Sequence, residues 1–278
     1  MKPCRKTGKF MLLALTIVFF SFPLSAGSAE LTLALADSTC DTMKQAGEIF
    51  TQKTDISLHY ICQSSGLLFK GISEGSLPAD YFLSASNKWI QAVVEAGLVN
   101  PEAVRTNWGN QLVVTSFPSK TGELEVHGLD DLLTPSVKTI IIGDPEIAPF
   151  GMYAKQALVN AEMWEKIQSK LKITPKITLS IRALKKLSLT TPGIVAFLYK
   201  TNVTDKMQVH FVVPQQLYPP VNYYSAPLAK AEQKKEMILF LDFIRGEEAS
   251  AIFSSAGFVV NSFSQSLPKE ADAAVKNR

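Results

Sequence analysis

The chain has 278 residues, 46% of them hydrophobic, which is enough to bury the cores of one large domain or of two lobes, and we predict two lobes. The first 29 residues hold four of the 28 basic side chains and none of the 25 acidic ones, which leaves 24 basic against 25 acidic residues and a net charge of −1. No basic stripe interleaved with aromatic residues occurs in the sequence, so a nucleic-acid-binding protein is excluded.

The first 29 residues have the order of a secretory signal peptide. Four basic residues precede an apolar run over 10–22, and Pro23 and the small residues of 25–29 follow it. The run is shorter than the ~20 apolar residues of a membrane-spanning helix, which disfavours a membrane anchor. No cysteine follows 24–27, so a lipid-attachment signal is missing. We therefore expect cleavage after Ala29 and an exported protein that is free in solution.

Two segments early in the chain share one plan, in which an apolar run leads through a serine-containing cluster into a helical pattern. The first covers 31–39 with Ser38, and the second covers 56–66 with Ser65. Both patterns predict a strand that delivers a hydroxyl to the first turn of a helix, where unpaired N–H groups and the helix dipole favour an anion. Ligands of open α/β sheets lie beyond the carboxyl ends of strands, so both junctions are candidates for one oxyanion site. The alternative is that both serines only cap their helices.

Strand and helix patterns alternate along the chain, which predicts an α/β fold with largely parallel sheets. Strands are predicted at 31–36, 56–61, 81–84, 111–115, 140–142, 192–197, 209–213 and 223–227. Helices are predicted at 43–50, 67–72, 87–97, 152–160, around Trp164, and at 182–187, 232–245 and 247–255. The strands at 111–115 and 223–227 are expected to cross between the lobes, and 261–278 is expected to be a loose tail.

The loop over 143–151 contains two prolines and two glycines in nine residues. This composition predicts a specific loop shape at the start of the helix 152–160, with the N–H groups of Phe150 and Gly151 pointing outward.

Two cysteines, Cys40 and Cys62, remain after cleavage, and an even pair in an exported protein is a candidate disulfide. Two buried free thiols are the alternative. The histidines His59, His127 and His210 are scattered without the spacing of metal ligands, so we expect structural roles for them and no metal.

Five blocks in a fixed order resemble the periplasmic molybdate-binding proteins that serve ABC transporters. They are Leu-Pro-Ala-Asp-Tyr-Phe-Leu-Ser-Ala-Ser-Asn-Lys-Trp (77–89), Gly-Asn-Gln-Leu-Val-Val (109–114), Gly-Asp-Pro-Glu-Ile-Ala-Pro-Phe-Gly-Met-Tyr-Ala-Lys-Gln-Ala-Leu (143–158), Pro-Gly-Ile-Val (192–195) and a C-terminal block over 240–258. Together they span nearly the whole chain after the leader. The Gly-Asp-Pro-Glu block is the most specific of the five.

The resemblance implies a two-lobed substrate-binding protein that works in the periplasm as a monomer. Residues 30–112 and 223–260 would form the first lobe, and residues 113–222 the second. The lobes would close over a tetrahedral oxyanion, molybdate or tungstate, and present it to a membrane permease of an ABC transporter. The resemblance implies no cofactor and no chemistry on the ligand, so the protein would not be an enzyme.

The resemblance also implies the residues that hold the anion. Ser38 and Ser65 would supply hydroxyls, Phe150 would supply a backbone N–H, and Ser180 would supply a second one, or Thr178 if a gap shifts that region. Neutral donors of this kind replace the hydration shell of a dianion, and no positively charged side chain takes part.

Three residues depart from the family pattern in this predicted site. Phe150 is bulky where the family has a small residue. Ala196 stands where a tyrosine hydroxyl is usual, so that donor is lost unless Tyr199 or another group replaces it. Asp37 directly precedes Ser38 where the family is apolar, and its carboxylate would repel a dianion unless it points away.

Other functions compete with this one. The same fold could hold another oxyanion or a small organic anion, and Tyr223-Tyr224 raises the alternative of a ferric-iron-binding protein. A hydrolase with Ser38 or Ser65 as nucleophile is disfavoured because the chain has no Gly-x-Ser-x-Gly elbow and no histidine in a comparable loop. A protein that has lost binding and serves as a structural or sensing partner is a further alternative.

Overall fold

The computed structural model describes Met1, residues 29–118 and residues 124–265. The predicted signal peptide, apart from its two end residues, and the segment 266–278 lie outside the described residues. In the described part of the chain, no helix is long and apolar enough to cross a membrane.

Strands and helices alternate along most of the described chain. The strands are β1 (Glu30–Ala36), β2 (Ser57–Gln63), β3 (Tyr81–Ser84), β4 (Arg105–Asn110), β5 (Leu112–Ser116), β6 (Thr139–Gly143), β7 (Leu171–Thr174), β8 (Ile194–Tyr199), β9 (Gln208–Val212), β10 (Val221–Pro227) and β11 (Val259–Gln265). The α-helices are α1 (Cys40–Thr54), α2 (Ser65–Ser73), α3 (Asn87–Glu95), α4 (Pro149–Asn160), α5 (Ile177–Ser188), α6 (Lys235–Arg245) and α7 (Glu247–Ser255).

The described strands form two sheets, which confirms the predicted two-lobed α/β fold. The first lobe contains a six-stranded sheet in the order β11-β4-β10-β3-β1-β2, and the second contains a five-stranded sheet in the order β7-β6-β8-β5-β9. Both sheets are mixed rather than largely parallel. The strands β1, β2 and β3 run parallel, as do β6, β7 and β8, whereas β4, β5, β9, β10 and β11 pair antiparallel with their neighbours.

The chain passes between the two sheets twice. It leaves the first sheet at the end of β4 and enters the second at the start of β5, with Gln111 between them. It returns through residues 213–220, which join β9 to β10. The predicted crossing strands therefore each belong to one sheet, β5 to the second and β10 to the first, and the crossings lie immediately before them.

The central strands are buried on both faces, as expected for a sheet with helices on each side. In β1, Leu33 and Leu35 pack in the core that also contains residues of α1, α6 and α7, while Ala34 between them packs with Leu68 of α2 and Ile90 of α3. Strand alternation thus separates the two helical layers of the first lobe.

Several element boundaries differ from the sequence prediction. The strands β4 and β7 were not predicted, and α5 begins five residues before the predicted 182–187. Helix α4 begins at Pro149, so the last part of the predicted loop 143–151 is in fact the first helical turn. The first five residues of the predicted tail, 261–265, belong to β11, which pairs with β4.

A disulfide joins Cys40 to Cys62, which confirms the predicted pairing. The two Cα atoms are 6.0 Å apart, and the residues are separated by 22 positions. Cys40 is the first residue of α1 and Cys62 lies near the end of β2. The bridge therefore joins the two junctions that carry Ser38 and Ser65.

Candidate ligand-binding cleft

A small cavity lies between the lobes, at the carboxyl ends of parallel strands from both sheets. Its lining comes from the turn after β1, the start of α2, the first turn of α4, the start of α5 and the end of β8. The volume is about 10 Å³, which is room for about one water molecule. Ser38, Ser65 and Phe150, three of the four residues predicted for the site, line this one cavity.

Ser38 lies in the 3-10 turn that follows β1, and a hydrogen-bond chain behind it orients its hydroxyl. The amide of Asn110 donates to the Tyr223 hydroxyl at 3.1 Å, and its own oxygen accepts the N–H of Gln111 at 2.9 Å, which fixes the orientation of the amide. The Tyr223 hydroxyl lies 3.0 Å from the Ser38 hydroxyl. Either hydroxyl of this pair can donate to the other, and when Tyr223 donates, the Ser38 proton is free for the cavity.

Two consecutive serines begin α2 and line the cavity. The Ser65 hydroxyl accepts the Ala85 N–H at 3.1 Å, so its own proton is also available for the cavity. The hydroxyl of Ser64, the N-cap residue, is buried and has no hydrogen-bond partner among the described residues. Since buried polar groups are normally paired, this hydroxyl calls for a ligand or a water molecule.

Phe150 occupies the second position of α4, directly after Pro149. The N–H groups of Gly151 and Met152 donate to the Ala148 carbonyl, whereas the N–H of Phe150 has no backbone acceptor in the described chain. The Phe150 ring packs on the second lobe, where a Cβ on Gly143 would come within 2.7 Å of it. Phe150 therefore offers a free N–H at a helix N-terminus while its ring reduces the space in front of it.

The fourth predicted donor is not at the cavity. Ser180 is fully buried in α5, bonds to the Thr174 hydroxyl and does not line the cavity. The alternative residue, Thr178, lies in the first turn of α5, but its N–H and its hydroxyl both donate to the Asp37 carboxylate, at 3.0 and 2.8 Å.

The Asp37 carboxylate thus points across the cleft toward the second lobe. Lys176, the N-cap residue of α5, lies 3.7 Å from the other carboxylate oxygen and also donates to the Cys62 carbonyl at 3.4 Å. Lys176 lines the cavity, so a positively charged side chain does border the site, contrary to the sequence prediction. Its charge is balanced by Asp37.

Tyr199, the residue considered as a replacement for the hydroxyl that Ala196 lacks, lies at the cavity. Ala196 is buried in the middle of β8, and Tyr199 ends the same strand and lines the cavity. The Tyr199 hydroxyl is buried and has no hydrogen-bond partner among the described residues. Burial, reinforced by neighbouring tyrosines, raises the pKa of this hydroxyl well above its usual 10.0. Tyr199 is therefore a neutral donor at physiological pH.

The tyrosine pair considered for iron does not form a chelating set. Tyr223 packs in the core layer next to the cleft, whereas Tyr224 packs in the other layer, against α2 and α3. Adjacent strand residues point to opposite faces, so one metal ion cannot contact both hydroxyls. In the described residues, no cluster of three or more histidine, cysteine, aspartate or glutamate side chains could hold a metal.

Sequence reasoning missed Ser64 and Lys176 as cavity residues. Ser64 precedes the predicted Ser65 and was part of the same cluster, so the strand-serine-helix pattern contained its signal. Lys176 lies before a helix whose first turn was not predicted, and nothing local in the sequence indicates that it faces the cleft.

Comparison with known proteins agrees with this architecture. Residues 31–259 match the family described as bacterial extracellular solute-binding protein. The molybdate-binding protein ModA of Haemophilus influenzae is 26% identical over 242 residues, covering 86% of this chain and 92% of that protein. The molybdate-binding protein ModA of Rhodobacter capsulatus is 28% identical over 237 residues, covering 85% of this chain and 90% of that protein.

Among solved structures, the periplasmic molybdate-binding protein of Azotobacter vinelandii superposes with a TM-score of 0.71 at 19% identity, covering 83% of this chain and 99% of that one. Iron-bound HitA of Pseudomonas aeruginosa superposes with a TM-score of 0.60 at 18% identity, covering 88% and 91%. These likenesses establish the fold, which is shared by binders of different ligands. With 229 consecutive residues matched, the chain belongs to the family of bacterial extracellular solute-binding proteins.

Proposed function

We propose that this protein captures a tetrahedral oxyanion, molybdate or tungstate, in the periplasm and delivers it to the permease of an ABC transporter. The observation that carries the proposal is the set of hydroxyls at the cavity. Ser65 accepts the Ala85 N–H and keeps its own proton for a ligand, and Ser38 shares a hydrogen bond with Tyr223. Ser64 and Tyr199 have no partner among the described residues. Curated relatives named as molybdate-binding proteins cover most of the chain and support the choice of anion.

A set of neutral donors suits a ligand that must be both bound and released. Each hydroxyl or N–H replaces part of the hydration shell of the anion, and the N-terminus of α4 adds the helix dipole at Phe150. Lys176 contributes little net charge because Asp37 lies beside it. We therefore expect affinity to depend only weakly on salt, unlike that of a site lined by unpaired lysines.

Binding requires the lobes to part, since the cavity has room for about one water molecule. An anion would enter an open form and stabilise the closed one by contacts with both lobes, Ser38 and Ser65 from the first and Phe150 and Tyr199 from the second. The permease would then recognise the closed form. No step changes the ligand chemically.

Calorimetric titration of the exported protein with molybdate, tungstate, sulfate, phosphate and ferric citrate tests the proposal. We expect binding of molybdate and tungstate in preference to the others. A hydrogen bond to a charged ligand is worth about 1.5–3 kcal/mol, so Ser65→Ala should weaken molybdate binding roughly tenfold to a hundredfold.

Ser116→Ala is the matched control for this variant. Ser116 is a buried serine of β5 that bonds to His210 in the second lobe and does not line the cavity, so its loss should leave molybdate affinity unchanged. No heat with molybdate or tungstate at millimolar concentration would contradict the choice of anion. Heat with another member of the panel would identify the ligand.

A further inference from the structure

The Asp37 carboxylate joins the two lobes. Asp37 directly follows β1 in the first lobe, and one of its carboxylate oxygens accepts hydrogen bonds from both the N–H and the hydroxyl of Thr178 in the second lobe, at 3.0 and 2.8 Å. Lys176 of the second lobe lies 3.7 Å from the same carboxylate. The Asp37 side chain is only 6% exposed, whereas Lys176 is partly exposed and Thr178 is exposed, so only the carboxylate is shielded from water.

The hydrogen-bond donors that contact Asp37 lie at the N-terminus of α5, the end of a helix that favours an anion. Thr178 lies in the first turn of α5, a helix of 12 residues, where N–H groups lack partners inside the helix and the dipole favours negative charge. In this protein the anion at that position is a side chain of the opposite lobe. The other hydrogen bonds between the lobes include neutral pairs, such as Gly66 N–H to the Ile147 carbonyl at 3.0 Å and the Tyr153 hydroxyl to the Ala85 carbonyl at 3.3 Å.

We propose that Asp37 is a built-in anion that holds the two lobes together when no ligand is bound. It supplies, from within the chain, the charged contact between lobes that a bound oxyanion supplies in a protein of this architecture. Hydrogen bonds to charged groups are about twice as strong as neutral ones. Loss of the pair to Thr178 should therefore lower the ratio of closed to open protein roughly tenfold to a hundredfold.

Two consequences follow for the binding cycle. The closed conformation is the more populated one in the unliganded protein, and a ligand binds only after the lobes have parted. The N–H and the hydroxyl of Thr178 are also engaged by Asp37 and not offered to the ligand, although Lys176 and Ile177 at the start of α5 still line the cavity. The proposal concerns the unliganded protein and holds whichever anion the cavity takes.

Small-angle X-ray scattering of the exported protein, in buffer free of oxyanions, measures the separation of the lobes. Wild-type protein is expected to be compact, and 1 mM molybdate should hardly change its radius of gyration. Asp37→Ala should have a larger radius without molybdate and should contract when molybdate is added. Asp37→Asn keeps the size of the side chain but removes its charge, so its radius without molybdate should lie between those of the wild type and Asp37→Ala. This variant provides the comparison if Asp37→Ala does not fold.

Asp80→Asn is the matched control. The Asp80 carboxylate is also nearly buried and also accepts a backbone N–H, that of Thr32 at 2.8 Å, and a lysine, Lys234 at 2.7 Å, but all three residues belong to the first lobe. This variant should lose thermal stability without any change in radius.

Asp37 variants that remain as compact as the wild type without molybdate would overturn the proposal. A wild-type protein that is as open as the variants would overturn it equally. Because the decisive comparison is made without ligand, a failure of molybdate to bind would count against the proposed function and leave this test intact.

Discussion

At the scale of single residues, the groups behind the cavity decide what the cavity hydroxyls can do. A hydroxyl both donates and accepts: Ser65 accepts the Ala85 N–H, and Ser38 shares a hydrogen bond with the Tyr223 hydroxyl. Tyr199 differs, because its hydroxyl has no partner in the described chain and contributes nothing to stability there. Loss of the Tyr199 hydroxyl should therefore affect ligand binding without lowering the stability of the fold.

We predict that Tyr199→Phe weakens molybdate binding about tenfold or more while stability is unchanged or slightly raised. The variant removes a donor to the anion, but in the unliganded protein it removes only an unpaired buried hydroxyl. Calorimetry and chemical denaturation measure the two effects.

Tyr218→Phe is the control for Tyr199→Phe, because the Tyr218 hydroxyl accepts the Leu112 N–H at 3.1 Å and its loss should lower stability. Unchanged affinity in Tyr199→Phe would mean that its hydroxyl does not reach the ligand.

We predict that Phe150→Ala lowers stability by about 3–5 kcal/mol, the usual cost of deleting a buried phenylalanine, yet binds molybdate as well as or better than the wild type. The ring packs on Gly143 and reduces the cavity, while the donor is the backbone N–H, which alanine keeps. Isothermal titration well below the melting temperature gives the affinity.

Phe50→Ala in the first lobe provides the comparison, since that ring is equally buried against Phe240 but does not line the cavity. It should lose stability without any gain in affinity. A clear loss of affinity in Phe150→Ala would show that the ring itself is needed at the site.

At the scale of elements, the disulfide between Cys40 and Cys62 fixes the relative position of the two serine-bearing junctions. It joins the start of α1 to β2 and closes a loop of 22 residues. Chain-entropy estimates give a stabilisation on the order of 3 kcal/mol for a loop of this length.

We predict that Cys40→Ser with Cys62→Ser loses about 3 kcal/mol of unfolding free energy, measured by urea denaturation. The same concentration of dithiothreitol should destabilise the wild type and leave the double variant unchanged. Two titratable thiols in the unreduced, unfolded protein would contradict the bridge.

The sequence predicts an element well when its pattern is local. The strands β1, β3 and β6 are apolar runs of the predicted extent within one or two residues, because they are buried on both faces. The strand β4, with the sequence Arg-Thr-Asn-Trp-Gly-Asn, has no such pattern and exists because β10 and β11 pair with its two edges. Pairing between distant segments leaves no local signal.

The residues of the candidate site also differ in how well a local pattern predicts them. Ser38 and Ser65 could be predicted because each follows a strand and begins a helical segment. The partner of Asp37 could not, since Thr178 lies 141 residues away and no local pattern links the two residues. The sequence predicts that the Asp37 carboxylate repels a dianion unless it points away, and the structure has it bonded to Thr178 and paired with Lys176.

At the scale of the whole molecule, stability toward acid depends in part on His210 in β9. Burial, reinforced by His127, lowers the pKa of His210 below its usual 6.5, and its ring lies 2.8 Å from the Ser116 hydroxyl. The unfolded chain, with the ordinary value, binds more protons than the folded one just below pH 6.5. Stability should therefore fall as pH decreases through that window.

We predict that the melting temperature of the wild type falls on acidification below about pH 6.5 more steeply than that of His210→Gln, which cannot take up this proton. Differential scanning calorimetry in steps between pH 7.5 and 5 provides the comparison. Equal slopes in the two proteins would show that other groups govern the loss.

The two lobes are assembled differently from the chain. The strands of the second sheet all lie between Leu112 and Val212, so that lobe is one uninterrupted stretch of sequence. The first sheet is complete only when β10 has entered between β3 and β4 and β11 has paired with β4. During synthesis the second lobe can therefore fold as soon as it has emerged. The strands β3 and β4, in contrast, keep unpaired edges until nearly the whole chain has been made. Chaperone protection therefore matters most for the part of the protein that is synthesised first.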